Sequence, residues 1–255
     1  MIAERLASEP LRVLRLDMVD STNTYLKSLT DAPHGTAVTA RCQTAGRGQR
    51  GNSWESAPGE NVTMSMMLRP RGIQAKEQFA ISEAVALGVA NILRMLVPPG
   101  VEISVKWPND IYAGDRKIAG ILIENTLSGS TILESIAGIG VNINQEIFRS
   151  DAPNPVSLFQ LTGIRQNVDL VARYIGEEIL SLFSMYVDVH RLEQLHEQYL
   201  ASLWRRNGYH PYINAATGAK FEAAIADVAL TGHITLRKSD ATLATFAFKE
   251  ITPLL

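Results

Sequence analysis

Cysteine is almost missing from this chain. Cys42 is the only one in 255 residues, which excludes an internal disulfide framework and any cysteine-cluster metal site. That usage fits a reducing compartment, and a cytoplasmic protein is expected. Neither sign of charge is in excess: 24 Lys and Arg stand against 26 Asp and Glu, for a net charge of -2. No global attraction to nucleic acid or to a membrane surface follows, so any cationic site has to be local. The opening "MIAERLASEPLRVLRLDMV" lacks the apolar core of a signal peptide. The longest apolar stretch, around residues 84 to 97, is interrupted by Asn91 and Arg94 and reads as too short to span a bilayer. No phosphate-binding GxxxxGK[ST] loop or GxSxG elbow occurs, and no GxGxxG dinucleotide fingerprint opens a helix. The five histidines show no metal-ligand spacing, so no resident zinc centre is expected.

What is present reads as a globular chain with 46 % hydrophobic residues. "RVLRLDMV" alternates Leu14, Leu16 and Met18 with Arg15 and Asp17, the period of a half-buried strand. "DSTNTYLKSL" follows it as a short helix, and "GTAVTARC" and "NVTMSMMLR" read as two further strands. Ile81, Val85, Val89, Ile92 and Leu96 carry helical spacing up to the stop "VPPG". "VEISVKW", "KIAGILIEN" and "TILESIAGIGVNI" add three strands, the second apolar on both sides as if covered on both faces. Leu170, Tyr174, Ile179, Phe183 and Tyr186, then Leu192, Leu195 and Tyr199, predict one broken or two consecutive helices. After "RRNGYHPY" only short strands remain, three or four of them, which suggests a small barrel. The fold class is α+β, with a large domain over 1–206 and a small all-β domain over 207–255.

Several short stretches could carry chemistry. "GRGQRGNSW" (46 to 54) offers Gly46, Gly48 and Gly51, whose freedom to take positive φ would let backbone N–H groups converge on an anion. Arg47 and Arg50 supply planar forks for phosphate or carboxylate, and Trp54 a surface for a flat ring. The same stretch would also serve as a solvated loop with Trp54 capping the core. "KWPNDIY" (106 to 112) puts Asn109 and Asp110 on a tight turn, as an ordinary turn or as oxygen donors to Mg²⁺ held jointly with phosphates. Lys117, at a strand mouth beside Gly120, reads as a phosphate contact or as an edge-guarding lysine. Asn142, in "GIGVNIN", is placed to read a purine edge or to end a bulged strand. Ser21 and Thr22 suit helix caps or a small polar ring, and Gln43 has the same ambiguity.

Taken in order, "STN", "QTAGRGQRGNSW", "KWPNDIY", "RKIAGILIEN" and "GIGVNIN" resemble the biotin protein ligases, over most of the chain from about residue 14. The resemblance implies a catalytic domain like that of class II aminoacyl-tRNA synthetases and a C-terminal SH3-like barrel. It implies an enzyme that joins biotin to AMP using ATP with Mg²⁺, without a tightly bound metal. The biotinyl group would then pass to a lysine on the biotin carboxyl carrier domain of a carboxylase. Ser21, Thr22, Asn23 and Gln43 would hold the ureido ring, and Gly120 and Leu122 would line the biotin slot. Arg47, Gly48 and Gln49 would close over biotin, and Lys117 would meet its carboxylate and the α-phosphate. Arg47, Arg50, Trp54, Lys117 and Asn142 would hold the nucleotide part. Lys117, Arg47, Asn109 and Asp110 are the expected catalytic group, the last two near Mg²⁺ or the acceptor lysine.

Two departures stand out. Gln49 replaces the second loop arginine of "GRGRRG", so looser retention of the adenylate is expected. The residues ahead of Ser21 read as a lead-in and a strand, so a DNA-binding repressor role is not expected. Alternatives are a lipoate–protein ligase and a non-catalytic biotin- or nucleic-acid-binding module. A nucleic-acid role would need a basic stripe with exposed aromatics, which the last fifty residues lack. Monomer and homodimer both remain open.

Overall fold

In the computed structural model, residues 10–48, 52–150 and 153–254 are described. Seven strands form one mixed sheet: β1 (Arg12–Val19), β2 (Thr36–Gln43), β3 (Val62–Leu68), β4 (Ile103–Lys106), β5 (Asp110–Ala113), β6 (Arg116–Ser128) and β7 (Thr131–Val141). Their order is β1-β2-β3-β7-β6-β5-β4. β1 and β2 run parallel, linked by helix α1 (Thr22–Ser28), and every other neighbouring pair is antiparallel.

α1 covers one face of the sheet against β2, β3 and β7. On the opposite face lie α2 (Phe79–Leu96), α4 (Val168–Leu182) and α5 (Leu192–Ala201), with α2 packed on both of the others. A short α3 (Leu158–Thr162) begins in a capping box, Ser157 accepting from the Gln160 N–H while the Gln160 side chain accepts from the Ser157 N–H. Because β3 sits mid-sheet with helices on both sides, all seven of its residues are buried, Thr63 and Ser65 included.

The C-terminal strands β8 (His210–Asn214), β9 (Lys220–Val228), β10 (Ile234–Lys238), β11 (Leu243–Phe246) and β12 (Ile251–Pro253) form a second, wholly antiparallel sheet ordered β11-β10-β9-β8-β12. Tyr212, Phe221 and Phe246 stack ring on ring within it, at 6.0 Å between successive centroids.

Several expectations are corrected. β1 is an edge strand, so Leu14 and Met18 are 43 % and 67 % exposed rather than half-buried. β6 is covered on both faces only over its first half; from Asn125 on, it runs out with β7 as an exposed hairpin. Asp110 is not a turn residue but the first residue of β5, paired with Lys106 of β4. Leu170 and Tyr174 lie on the solvent side of α4. Five C-terminal strands form, because the turn at 247–250, with Lys249 at φ 71°, splits "LATFAFKEI" in two. The apolar stretch read as too short for a bilayer belongs to a continuous helical segment, Ala75–Leu96, that is long enough. Its most apolar window is 67 % buried within the protein, because α2 is the core helix.

Candidate functional site

The main cleft, of about 820 Å³, opens on the α1 face of the large sheet and is closed on one side by the C-terminal sheet. At one end, Asp20 accepts from the Ser21 N–H at 2.6 Å and fixes the entry to α1. Ser21 occupies the N-cap position, yet its hydroxyl makes no cap bond. The Thr22 hydroxyl also turns away from the helix: both it and the Thr22 N–H donate to Gln43 Oε1, at 3.1 and 2.8 Å. The helix-cap alternative is thereby set aside for both side chains, and Ser21 lines the cleft.

Asn23 is spent on the protein. Ser65 Oγ lies 2.5 Å from its Oδ1, and its Nδ2 donates to Glu124 Oε2 at 2.7 Å. Only a glycine at 138 leaves room for it, because a Cβ there would collide with the Asn23 amide. Glu124 Oε2 also accepts from Arg47 Nη2 at 3.1 Å. A line of hydrogen bonds therefore runs Gln43, Thr22, Ser65, Asn23, Glu124, Arg47.

The glycine-arginine loop extends the β1–β2 pairing, with Thr44 and Ala45 N–H donating to Val19 and Asp20 carbonyls. It folds back on itself where Trp54 N–H donates to Gly46 O and Gly48 N–H to Asn52 O. Gly46 and Gly48 do not take positive φ; they are needed for closeness, a Cβ at Gly46 lying 2.7 Å from Trp54 O. Gln49, Arg50 and Gly51 lie outside the described residues. Glu55, the next residue after Trp54, accepts from the Arg149 and Ser150 N–H groups and anchors the end of the loop. Trp54 then lies flat on Gly140 and Gly120, with its Nε1 buried and without a hydrogen-bond partner.

Lys117 is held from both sides of its backbone: its N–H donates to Asn154 O and its carbonyl accepts from Val156 N–H. Its ammonium lies 2.7 Å from Asp110 Oδ1, each side chain about a quarter exposed. β6 is an interior strand, so the edge-guard reading of Lys117 is set aside. Asn109 is buried and donates to Ile121 O, fastening the turn to β6. Asn142 is buried at the end of β7 and donates to Val156 O. Gly120 and Leu122 line the cleft floor.

Sequence reasoning passed over five contributors. Ser65 and Glu124 looked like polar residues on strands. Lys106 is half-buried, donates to Tyr112 Oη at 2.9 Å, and has its pKa lowered chiefly by desolvation. Tyr199 holds the Pro108 carbonyl at 2.8 Å, while Trp107 Nε1 donates to Gly232 O of the C-terminal sheet. Only the opposing 107–109 turn could have signalled the last pair. Phe248 and Lys249 reach the cleft rim from that sheet. Among the described residues no group of three or more His, Cys, Asp or Glu forms a metal-binding cluster.

The cleft thus joins a hydroxyl–amide pocket to a lysine–carboxylate pair under a glycine-arginine loop. Residues 16–142 match the biotin/lipoate A/B protein ligase family, and the chain carries a domain of that family. The bifunctional ligase/repressor BirA of Escherichia coli is 38 % identical over 175 residues, 67 % of this chain and 53 % of BirA. The biotin–[acetyl-CoA-carboxylase] ligase of Paracoccus denitrificans is 38 % identical over 129 residues, 50 % of this chain and 53 % of the relative. The chain thus spans about half the length of the curated relatives it matches. In fold, it is similar to the biotin protein ligase from Aquifex aeolicus in complex with biotin and ATP, with a TM-score of 0.77 at 22 % identity, covering 95 % of this chain and 98 % of that one. The Leishmania major enzyme in complex with biotinyl-5-AMP aligns with a TM-score of 0.66 at 20 % identity, covering 94 % of this chain and 100 % of that one.

Proposed function

We propose that this protein is an ATP-dependent biotin–protein ligase. The observation that carries the reading is the meeting in one cleft of Ser21, Thr22 and Gln43 with the Lys117–Asp110 pair. The first group supplies hydroxyl and amide partners for a ureido ring, with Asn23 positioned behind them. The second supplies a fixed cation where a carboxylate and a phosphate would meet.

In the first step a biotin carboxylate oxygen attacks the α-phosphorus of ATP. The bond from that phosphorus to the bridging oxygen breaks and pyrophosphate leaves. Lys117 and Arg47 stabilise the charge on the carboxylate and α-phosphoryl oxygens, a task for preorganised cations more than for a strong base. In the second step an acceptor lysine amine attacks the carbonyl carbon of biotinyl-AMP, loses a proton and releases AMP. Asp110, beside Lys117, is the carboxylate placed to receive that proton. Mg²⁺ would enter with the nucleotide, held by phosphate oxygens and Asp110, a donor set that suits a cation retaining several waters. Trp54 and the loop keep water from the anhydride. The adenine contact falls to the Asn142 side-chain amide, whose oxygen and second N–H remain beside the bond to Val156 O, and Arg50 and Gln49 belong to the same loop.

The reading includes a carboxylase carrier domain as acceptor and a cytoplasmic setting. It also includes division into a synthetase-like domain, 1–206, and an SH3-like domain, 207–255. The test is mass spectrometry of the protein incubated with ATP, Mg²⁺ and biotin. Biotinyl-AMP is expected, and Lys117→Ala is expected to slow its formation at least a hundredfold without unfolding the chain. Lipoyl-AMP from lipoate, with no biotinyl-AMP, would move the assignment to the lipoate ligases.

A further inference from the structure

Glu124 has no place in the chemistry above, yet one oxygen of its carboxylate receives both Asn23 and Arg47. The two contacts differ in kind. Asn23 is 4 % exposed, wedged against Gly138 and bonded at both ends of its amide, so it cannot follow a moving partner. Arg47 stands on the loop with its side chain 44 % exposed, and Glu124 is 31 % exposed at the same spot. The contact open to exchange is therefore the one to the arginine.

We propose that Glu124 is a built-in competitor anion: in the free protein its carboxylate occupies Arg47, and an incoming ligand carboxylate or phosphate has to displace it. The inference rests on the biotin-ligase reading of the cleft. A guanidinium meets one carboxylate about as well as another. Exchanging Glu124 for the biotin carboxylate therefore adds little net affinity, and the bared Glu124 charge opposes the newcomer. Glu124 thereby tunes how strongly the site holds anionic ligands, and it leaves the ring-binding end untouched.

Glu124→Gln keeps an acceptor for Asn23 and removes the competing charge. Calorimetry on the full chain would measure biotin and the neutral primary amide of biotin as two probes. The variant is expected to bind biotin about three- to tenfold more tightly, the range of a local charge contact, with the amide unchanged. In an Arg47→Ala background only the direct repulsion is left to relieve, so the same substitution is expected to tighten biotin by less than it does with Arg47 present. Glu124→Asp, shorter by one methylene, is expected to shift biotin the same way by less and serves if the glutamine variant fails to fold. Unchanged or weaker biotin binding, or an equal shift for the amide, would overturn the proposal. If the wild type binds neither probe, the ligase reading fails and this inference falls with it. If the wild type binds both and the variant shows no selective gain, only this inference fails.

Discussion

The Asp110 carboxylate and the Lys117 ammonium lie 2.7 Å apart across neighbouring strands β5 and β6, at the mouth of the main cleft. Each holds the other where substrate would bring both a carboxylate and a phosphate. Lys117→Ala is expected to lower the rate of biotinyl-AMP formation by about 10²–10³-fold, the usual cost of losing one preorganised charge donor. Asp110→Asn is expected to spare more of that step and to slow transfer to an acceptor lysine. Rapid-quench measurement of adenylate formation and of transfer, run separately, would distinguish the two. Equal loss in both steps for Asp110→Asn would remove its assignment as proton acceptor.

Trp54 lies against Gly140 in space that any side chain would fill. Gly140→Ala is therefore expected to push the indole off the sheet and open the cover over the adenylate. Release of preformed biotinyl-AMP should speed up by about tenfold, while overpacking costs about 1–3 kcal/mol of stability. Adenylate retention after gel filtration and a denaturant melt would measure each effect.

Glu83 is fully buried in α2, with Oε1 2.5 Å from His196 Nδ1 and Oε2 unpaired. The groups facing His196 are Glu83 from α2, Asp227 and the Val228 backbone from β9. Tyr199 stands beside Glu83 on the same helix as His196. The hydrogen bond to Glu83 raises the His196 pKa, and burial raises that of Glu83. Both groups hold protons more tightly folded than unfolded, so their stabilising effect is complete at low pH and fades as pH rises. For His196 the fading starts near its ordinary value of 6.5 and continues upward. The melting temperature is expected to fall between about pH 6 and 8, and His196→Gln to flatten that slope. A steeper slope in the variant would reverse the assignment.

Tyr199 carries the large domain's hold on the 107–109 turn through the Pro108 carbonyl. Tyr199→Phe leaves that part-buried carbonyl without its donor, at a cost of about 1–3 kcal/mol. Because Trp107 in the same turn bonds Gly232, loosening it is expected to raise KM for ATP more than for biotin. Steady-state kinetics with each substrate varied in turn would show whether the split appears.

Much of this site is legible one segment at a time. Ser21, Thr22 and Gln43 stand at the ends of two strands that "RVLRLDMV" and "GTAVTARC" already predict, while their parallel pairing comes from the structure alone. Lys117 and Gly120 fall on one strand, and residues spaced along a strand carry their relative placement in the sequence. Ser65 and Glu83 were not legible, for one shared reason. Each sits where local periodicity points a polar group to solvent, and each is buried because an element distant in the chain, α1 for Ser65 and α5 for Glu83, covers it.

The sequence by itself determined most of the strands, the long helices and the order of the polar motifs, since these follow from apolar period and turn chemistry within a few residues. Tertiary structure alone decided which side chains meet. Glu124 finds Arg47 across 77 positions, and Trp107 finds Gly232 across 125. The physical reason is that sheet order and register, set by the burial of the whole core, choose such partners, and no local preference encodes them.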